Sequence, residues 1–505
     1  MPKPEYRTKK QVLERAREAI GIPLRCIDKT NRLKTGKGAV GSILEESWFG
    51  YKINNTSEPD FPQARVELKT NPFIRTRKGI RAKERLVCNM IDYMEEHKKT
   101  FFTSSFWQKC ETILLMSYEY KDDSDKGDIT IDEATLFCFP EKDLVVIKSD
   151  WKKIIEKIRE GSAHTISEGD TLYLGACTKG NTSSTTRKQP FSKIPAKQRA
   201  YSLKQSYMTE ILNSYIFSEK INESIIKDPA LIENTSLESY IIEKAAPYIG
   251  RTQESLSKEF KIKTNAKNVN ELLLARMLGI NGKVSASDEF KKANIVPKTV
   301  RINKNGSITE SMSFPAFDFK KIVSEDWDTC EFKNMLEQTK FLFVVFRFQK
   351  DDSLVFDDLI FWNLPESALD EVKKVWEKTV AVLKEGVKIW NSGKRNFNNL
   401  PNASDNSVCH VRPHAKDSHD TLELPDGRKM TKQSFWLNNT YIRAQLEKHQ
   451  IFDDQRKIES LFFEIEHDRV ASSGKKTDTA ESIAMDPNNV IDLQRKKARL
   501  QHDQE

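Results

Sequence analysis

One stretch of this chain occurs twice. Asp60-Phe-Pro-Gln-Ala-Arg-Val-Glu-Leu-Lys-Thr70 returns in altered form as Asp288-Glu-Phe-Lys-Lys-Ala-Asn-Ile-Val-Pro-Lys-Thr299. Ala64 falls on Ala293, Val66 on Ile295, Lys69 on Lys298 and Thr70 on Thr299, but Glu67 falls on Val296. The surroundings repeat in the same order. The apolar run at 340–346 matches 112–120, and Lys432-Gln433-Ser-Phe-Trp-Leu-Asn-Asn-Thr-Tyr441 matches Lys197-Gln198-Arg-Ala-Tyr-Ser-Leu-Lys-Gln-Ser-Tyr207. A unit of about 200 residues repeated once is a duplicated domain, since solenoid repeats have far shorter periods. A chain of 505 residues has room for two such domains.

Local periodicity sets the fold class of each copy. In the first, residues 9–20 carry Val12, Leu13, Ala16, Ala19 and Ile20 at helical spacing, and a second helix follows Gly38 or Gly41. Strands are expected at 64–70, 85–91, 112–120, 134–139 and 171–174, with helices at 151–160 and 201–217 and a polar loop at 178–188. Such alternation fits an α/β fold, a mixed sheet flanked by helices, present twice. The expected boundaries are a first domain at 1–220, a linker at 221–235, a second domain at 236–447 and a charged, partly disordered extension at 448–505.

The repeated stretch carries chemistry in its first copy. Side chains two apart in a strand share a face, so Glu67 and Lys69 point the same way and Leu68 points into a core. Asp60 arrives from a turn set up by Pro59 and Pro62. Two carboxylates and the Leu68 carbonyl are hard oxygen donors suited to Mg²⁺. The Lys69 ammonium can lie against a phosphate oxygen and an attacking water. This is the active-site logic of the PD-(D/E)xK nucleases. The spacing alone recurs by chance in a chain with 31% charged residues, and the context raises it above chance. The second copy has a valine where the glutamate belongs, and valine cannot ligate a metal. It reads as a copy that keeps the fold, has lost catalysis and is retained for binding.

Composition removes other classes. No run approaches the ~20 apolar residues of a membrane helix, and the start Met-Pro-Lys-Pro-Glu-Tyr-Arg lacks a secretory apolar core. The seven cysteines form no C-x-x-C pair, which points to neither a zinc ribbon nor a disulfide framework and places the protein in the cytoplasm. Net charge is +8. A denser basic stretch at 74–85, with six Lys or Arg, follows the first motif and would meet phosphates.

At this point the chain resembles a known family. Lys37-Gly-Ala-Val-Gly-Ser-Ile-Leu-Glu-Glu-Ser-Trp-Phe-Gly50, Asp60–Thr70, Thr103-Ser-Ser-Phe-Trp-Gln-Lys109, Thr178-Lys-Gly180, Lys197-Gln-Arg-Ala-Tyr-Ser-Leu-Lys204 and Cys409-His-Val-Arg-Pro-His414 follow the order seen in MutH-like nucleases that act at GATC. The chain is most similar to the GATC-cutting type II restriction enzymes of the Sau-three-A kind, over about residues 5–446. The resemblance implies Asp60 and Glu67 as metal carboxylates with the Leu68 carbonyl, Lys69 as catalytic lysine and Lys109 as a second active-site lysine. It also implies a further glutamate on the helix after Gly41. Counting forward from Gly41 selects Glu45, the preferred choice. Counting back from Trp48-Phe-Gly50 selects Glu46, because this chain has one extra residue there.

The DNA-reading residues implied in the first half are Lys179, Gly180, Arg187, Arg199, Tyr201, Ser202 and Lys204. Tyr201, Ser202 and Lys204 would begin the helix behind the reading loop. In the second half they are Arg412, His414 and Lys416. The implied function is a type II restriction endonuclease making Mg²⁺-dependent double-strand cuts at GATC, with the second domain binding another GATC site as allosteric effector. The implied partners are double-stranded DNA and a cognate DNA methyltransferase, with no membrane. The protein would be a monomer in solution that DNA can bridge into a dimer. Two other readings remain: a MutH-like nicking endonuclease of mismatch repair, and a GATC-binding protein without activity. The second requires the first copy to be inactive as well, although Asp60, Glu67 and Lys69 are all present.

Overall fold

The computed structural model describes residues 5–34, 38–53, 58–77, 79–121, 125–180, 185–218, 222–266, 268–392 and 395–450. The expected C-terminal extension from 451 onward lies outside the described residues, as do 181–184 of the polar loop and 221 of the linker.

The strands run in chain order as β1 (Glu67–Thr76), β2 (Gly79–Ala82), β3 (Leu86–Met90), β4 (Ile113–Glu119), β5 (Glu133–Phe137), β6 (Leu174–Thr178), β7 (Thr186–Gln189), β8 (Ser192–Lys197) and β9 (Arg199–Leu203). They continue as β10 (Ile295–Ile302), β11 (Met312–Ala316), β12 (Lys340–Phe348), β13 (Leu354–Trp362), β14 (Ile389–Ser392), β15 (Arg395–Asn398), β16 (Cys409–Pro413), β17 (Thr421–Glu423), β18 (Lys429–Thr431) and β19 (Gln433–Leu437).

Packing divides the chain into two compact units. The first comprises Met1–Arg301 and Asp326–Leu369, and the second comprises Ile302–Glu325 and the chain from Asp370 on. In the first unit the main sheet has the order β2-β1-β4-β5. β1 runs parallel to β4, pairing Glu67 with Ile113 and Lys69 with Leu115. β4 is buried along most of its length because both faces of this sheet are covered. Leu114 and Met116 face a core with Val12, Ala16, Ile43 and Leu44. Ile113 and Leu115 face a second core with Val146, Trp151 and Ile154 of the helix Glu141–Arg159. The strand period of two therefore divides β4 between two helical layers, an α/β arrangement. The same unit holds the sheet β3-β9-β6, the hairpin β7–β8 and the sheet β10-β12-β13.

The second unit holds the sheet β11-β19-β16 and the hairpins β14–β15 and β17–β18. The order of elements runs twice along the chain. β1-β4-β5 has its counterpart in β10-β12-β13, and β3-β9-β6 in β11-β19-β16. The long helix Glu141–Arg159 corresponds in order to Glu366–Glu385, and the hairpin β7–β8 to β17–β18.

The compact units do not follow the sequence halves. Leu237, Leu273, Phe290, Leu342 and Phe356 share one core with Phe73, Leu115 and Trp151. Buried ion pairs reinforce that packing, Lys292 to Asp143 at 2.8 Å and Lys153 to Glu238 at 2.8 Å. The division at 220 and 236 is one of chain order, and the division seen here is one of packing.

Three local expectations need correction. The helix expected at 151–160 begins at Glu141, directly after Pro140. The strand expected at 171–174 occupies Leu174–Thr178. Residues 199–203 are not the start of a helix. They form β9, the central strand between β3 and β6, and every one of them is buried. The helix itself is Gln205–Ile211, continued by a π turn at Leu212–Ile216. A run buried on all sides has no period to betray it as a strand. Among the described residues no helix is long and apolar enough to cross a membrane.

Candidate active site

The first motif folds as a tight turn leading into β1. Phe61 and Val66 bridge one another across the turn, and Arg65 takes the left-handed conformation at φ 54° that closes it. Phe61 is locked edge-on against Phe49, at 4.9 Å between ring centroids, and against Tyr6 and Tyr51. This anchored turn delivers Asp60 beside β1. Its Oδ2 accepts the backbone N–H of Leu68 at 2.9 Å, and its own N–H donates to Glu67 Oε2 at 3.2 Å. The two carboxylates are thus fixed to one another through the backbone.

Glu67 is 1% exposed. Its Oε1 meets Lys69 Nζ at 2.8 Å and Lys109 Nζ at 3.5 Å. Lys69 also donates to the Cys88 carbonyl on β3 at 3.3 Å. Lys109 sits in the last turn of the helix Ser105–Cys110, just before β4. Burial pushes the Glu67 carboxyl up to about 7, with Asp60 adding to the rise and the Lys69 ammonium opposing it. Burial acts to lower Lys69, but the Glu67 carboxylate outweighs it and holds the ammonium well above the ordinary lysine range.

The helix after Gly38 supplies the third carboxylate. Residues Ala39–Ile43 form an α turn, and Leu44–Trp48 continue it as a π turn. A π turn accommodates one extra residue without breaking the helix. The two neighbouring glutamates separate here. Glu46 leaves on the far side and forms a forked ion pair with Arg32, at 2.8 and 2.9 Å. Glu45 turns inward. Burial raises its carboxyl to about 7, with Asp60 and Glu67 adding repulsion and Lys109 opposing it.

The residues fit a divalent cation in chemistry. Three carboxylates crowd one buried spot, two of them driven up to about 7 by burial and by mutual repulsion that a cation would relieve. The Glu67 and Asp60 oxygens are engaged by amines and by backbone N–H groups, and among the described residues no three acidic, His or Cys side chains form a group that could hold a metal ion.

The matching place on β10 behaves differently. Lys298 faces no glutamate at position 296, and burial alone draws its ammonium below the ordinary range. Glu289, in the position of Asp60, is 1% exposed and accepts the backbone N–H groups of Ile225 and Ile226 at 2.9 and 3.1 Å.

The residues expected on the DNA face divide into two groups. Lys179, Gly180 and Arg187 are exposed at the end of β6 and on β7. Gly180 has φ +149°, and a Cβ there would meet the Thr185 side chain at 2.6 Å, so only glycine fits. Arg199, Tyr201, Ser202 and Lys204 are buried on and just after β9. Arg199 donates to the carbonyls of Ala176, at 2.6 Å, and Ile166. Tyr201 donates to Glu96 at 3.3 Å, and Lys204 to the carbonyls of Glu168, at 2.8 Å, and Thr171. Arg199, Tyr201 and Lys204 thus spend their donors inside the protein around β9, and Ser202 is buried beside them. Arg85 of the basic stretch is likewise paired inward, with Glu168.

In the second unit Arg412, His414 and Lys416 are exposed on and after β16. The sequence reading missed Trp436 on β19. Its ring carries the Arg412 guanidinium 4.6 Å above its centroid and lies 5.4 Å from the His414 ring. His414 Nδ1 is also held by the Phe314 carbonyl at 2.8 Å. The alternation His410, Arg412, His414 opposite Ser434 and Trp436 is the signal that could have located this support.

Comparison with known proteins gives the chain its relatives. The family model described as "DNA mismatch repair enzyme MutH" matches residues 49–150, which span the turn, β1, Lys109 and β4. The type II restriction enzyme Sau3AI of Staphylococcus aureus is 39% identical over 484 residues, covering 88% of this chain and 99% of that protein. DNA mismatch repair protein MutH of Shewanella woodyi is 28% identical over 172 residues, 32% of this chain and 73% of its own length. MutH of Vibrio vulnificus is 25% identical over 234 residues, 44% of this chain and 99% of its own length.

Proposed function

The chain belongs to the family of the type II restriction enzyme Sau3AI and is a type II restriction endonuclease with an α/β restriction-endonuclease-like fold, and we propose that it makes Mg²⁺-dependent double-strand cuts at GATC. The observation that carries this reading is the meeting of Asp60, Glu67, Lys69, Lys109 and Glu45 at one buried spot beside β1.

Asp60, Glu67 and the Leu68 carbonyl would hold the metal. Bound there, the ion lowers the pKa of a water and neutralises phosphate charge. Lys69, oriented by Glu67 and the Cys88 carbonyl, positions the attacking water against the scissile phosphate. Lys109 stabilises the negative charge that grows on the phosphoryl oxygens. Glu45 adds a carboxylate to the water side of the site, and Glu46 holds its helix to Arg32. In the first half, base recognition falls to the exposed Lys179, Gly180 and Arg187, where a lysine or arginine can reach guanine O6 and N7.

We read the second half as a duplicated PD-(D/E)xK domain that has lost catalysis. Its Arg412, His414 and Lys416 bind a second GATC site and act as allosteric effector. The protein works in the cytoplasm beside a DNA methyltransferase of the same specificity, as a monomer that DNA can bridge into a dimer. The MutH match at 49–150 favours one other reading, a GATC nicking enzyme of mismatch repair. It leaves the second half without a purpose, since the MutH relatives named above cover less than half of this chain.

The test is Mg²⁺-dependent digestion of unmethylated plasmids with one or two GATC sites. Linear products without helper proteins, faster on the two-site plasmid and abolished by Glu67→Ala, are expected. Nicked circles that need repair proteins would replace this reading with the MutH one. Equal rates on one and two sites would remove the effector role.

A further inference from the structure

The second half carries an element with no counterpart in the first. Between the helix Glu141–Arg159 and β6 lie only two short 3-10 turns, Ala163–Thr165 and Glu168–Asp170. Between the helix Glu366–Glu385 and β16 lies the hairpin β14–β15. Its base is fixed. Val387 and Leu400 are buried, Lys388 N–H donates to Asn399 Oδ1 at 2.9 Å, and Arg428 Nη2 donates to the Val387 carbonyl at 2.7 Å. Arg428 lies just before β18, so the hairpin is tied to β17–β18, the element inserted between β16 and β19.

Beyond that base the hairpin exposes what a folded chain normally buries. Trp390 and Phe397 are directly opposed partners across the two strands. Their rings stack at 6.1 Å with 15° between planes, yet they are 49% and 42% exposed. Ile389 beside them is 39% exposed. Residues 386–400 contain Lys388, Lys394 and Arg395 and no acidic residue. A flat aromatic pair on an anchored, wholly basic hairpin suits stacking or wedging against nucleic-acid bases with phosphates around it. Two copies of this hairpin would repel each other, so the charge favours a polyanion over a second copy of the chain.

We propose that the β14–β15 hairpin is an additional DNA-contact element, in which Trp390 and Phe397 lie against the duplex flanking the site addressed by Arg412, His414 and Lys416. The inference rests on the reading that the second half binds DNA. It adds a contact outside the recognition sequence, which lengthens the footprint of the second half relative to the first.

The test photocrosslinks the full chain to a duplex several turns long that holds one GATC and 5-iodouracil in its flanks. Ca²⁺ replaces Mg²⁺ to prevent cutting, and the attached peptides are mapped. Crosslinks at Trp390 or Phe397 are expected. W390A/F397A should remove them and weaken binding about tenfold or more. Lys388→Ala should lower the slope of log affinity against log salt by roughly 1. Crosslinks confined to 409–416, with W390A/F397A and Lys388→Ala both binding as the parent does, overturn the hairpin and leave second-half recognition standing. No crosslink in either segment, with Arg412→Ala also binding normally, overturns second-half recognition itself. If W390A/F397A instead changes the sedimentation of the free protein, the pair is an interface between copies and the proposal falls.

Discussion

The Lys69 ammonium lies 2.8 Å from Glu67 Oε1, two residues back on the same face of β1. At the matching places on β10 stand Lys298 and Val296. Lys69 is held above its ordinary range chiefly by the Glu67 carboxylate against the pull of burial, and Lys298 is drawn below it by burial. Replacing Glu67 by alanine should therefore do two things. Cleavage should fall at least a thousandfold, since a metal ligand worth several kcal/mol of barrier is gone. DNA binding, measured by fluorescence anisotropy in Ca²⁺, should stay within a few-fold of the parent. Cutting by Glu67→Ala at more than a tenth of the parental rate would refute the site.

Glu45 and Glu46 are adjacent in sequence and separated in role by the π turn that carries them. Glu45→Gln should lower single-turnover cleavage more than a hundredfold, on the scale of losing a positioned polar group in an active site. Glu46→Gln loses a partly exposed pair with Arg32, of a kind that contributes about 1 kcal/mol or less, and should cut within tenfold of the parent. The reverse ranking would transfer the role to Glu46.

The grouping of Asp60, Glu67 and Lys69 was legible in the sequence because they are local, and a strand puts i and i+2 on one face. Glu45 was narrowed to a pair and no further, because only the π turn decides which glutamate turns inward, and an inserted residue shifts every later count. Lys109 lies in the last turn of a short helix that leads into β4, and it meets Glu67 only through the fold. The β9 residues were misplaced for a different reason. Arg199 and Lys204 came from the resemblance as cations of the reading face, yet their donors are spent on the carbonyls of Ala176, Ile166, Glu168 and Thr171. The packing of 237–301 and 340–362 onto the first half was illegible, because the buried pair Lys292–Asp143 joins residues far apart in sequence.

That pair supports a stability prediction. Lys292 is 1% exposed, with Asp143 at 2.8 Å and Asp288 at 2.9 Å, and Tyr207 donates to Asp143 at 3.1 Å. Lys292→Met keeps the apolar stem and leaves the buried Asp143 carboxyl without an ammonium partner, while Asp288 keeps Lys142 at 2.7 Å. It should cost about 3–5 kcal/mol in urea unfolding, the loss typical when one partner of a buried pair is removed. Adding Asp143→Asn should recover part of that loss. A single variant within 1 kcal/mol of the parent would show that the cluster is not holding the core together.

Glu238 gives the pH dependence its sign. Its carboxylate meets Lys153 at 2.8 Å and Lys340 at 3.2 Å. Burial acts to raise it, but the Lys340 and Lys153 ammonium groups outweigh burial and hold it at about 2, against 4.5 when free. The unfolded chain therefore binds a proton here more readily than the folded one. The contribution is fully present above pH 4.5 and is lost as pH falls from there toward 2, on the order of 3 kcal/mol in all. Glu238→Gln removes the titrating group and leaves two buried ammoniums facing each other, so the variant should be less stable than the parent at pH 7. The gap should narrow steadily below pH 4.5, because only the parent has this contribution left to lose. Every other carboxylate titrates in both proteins and cancels in the difference. Urea melts of the two at pH 7, 4 and 3 measure it, and a gap that stays constant across that range would mean that Glu238 is not held by its two lysines.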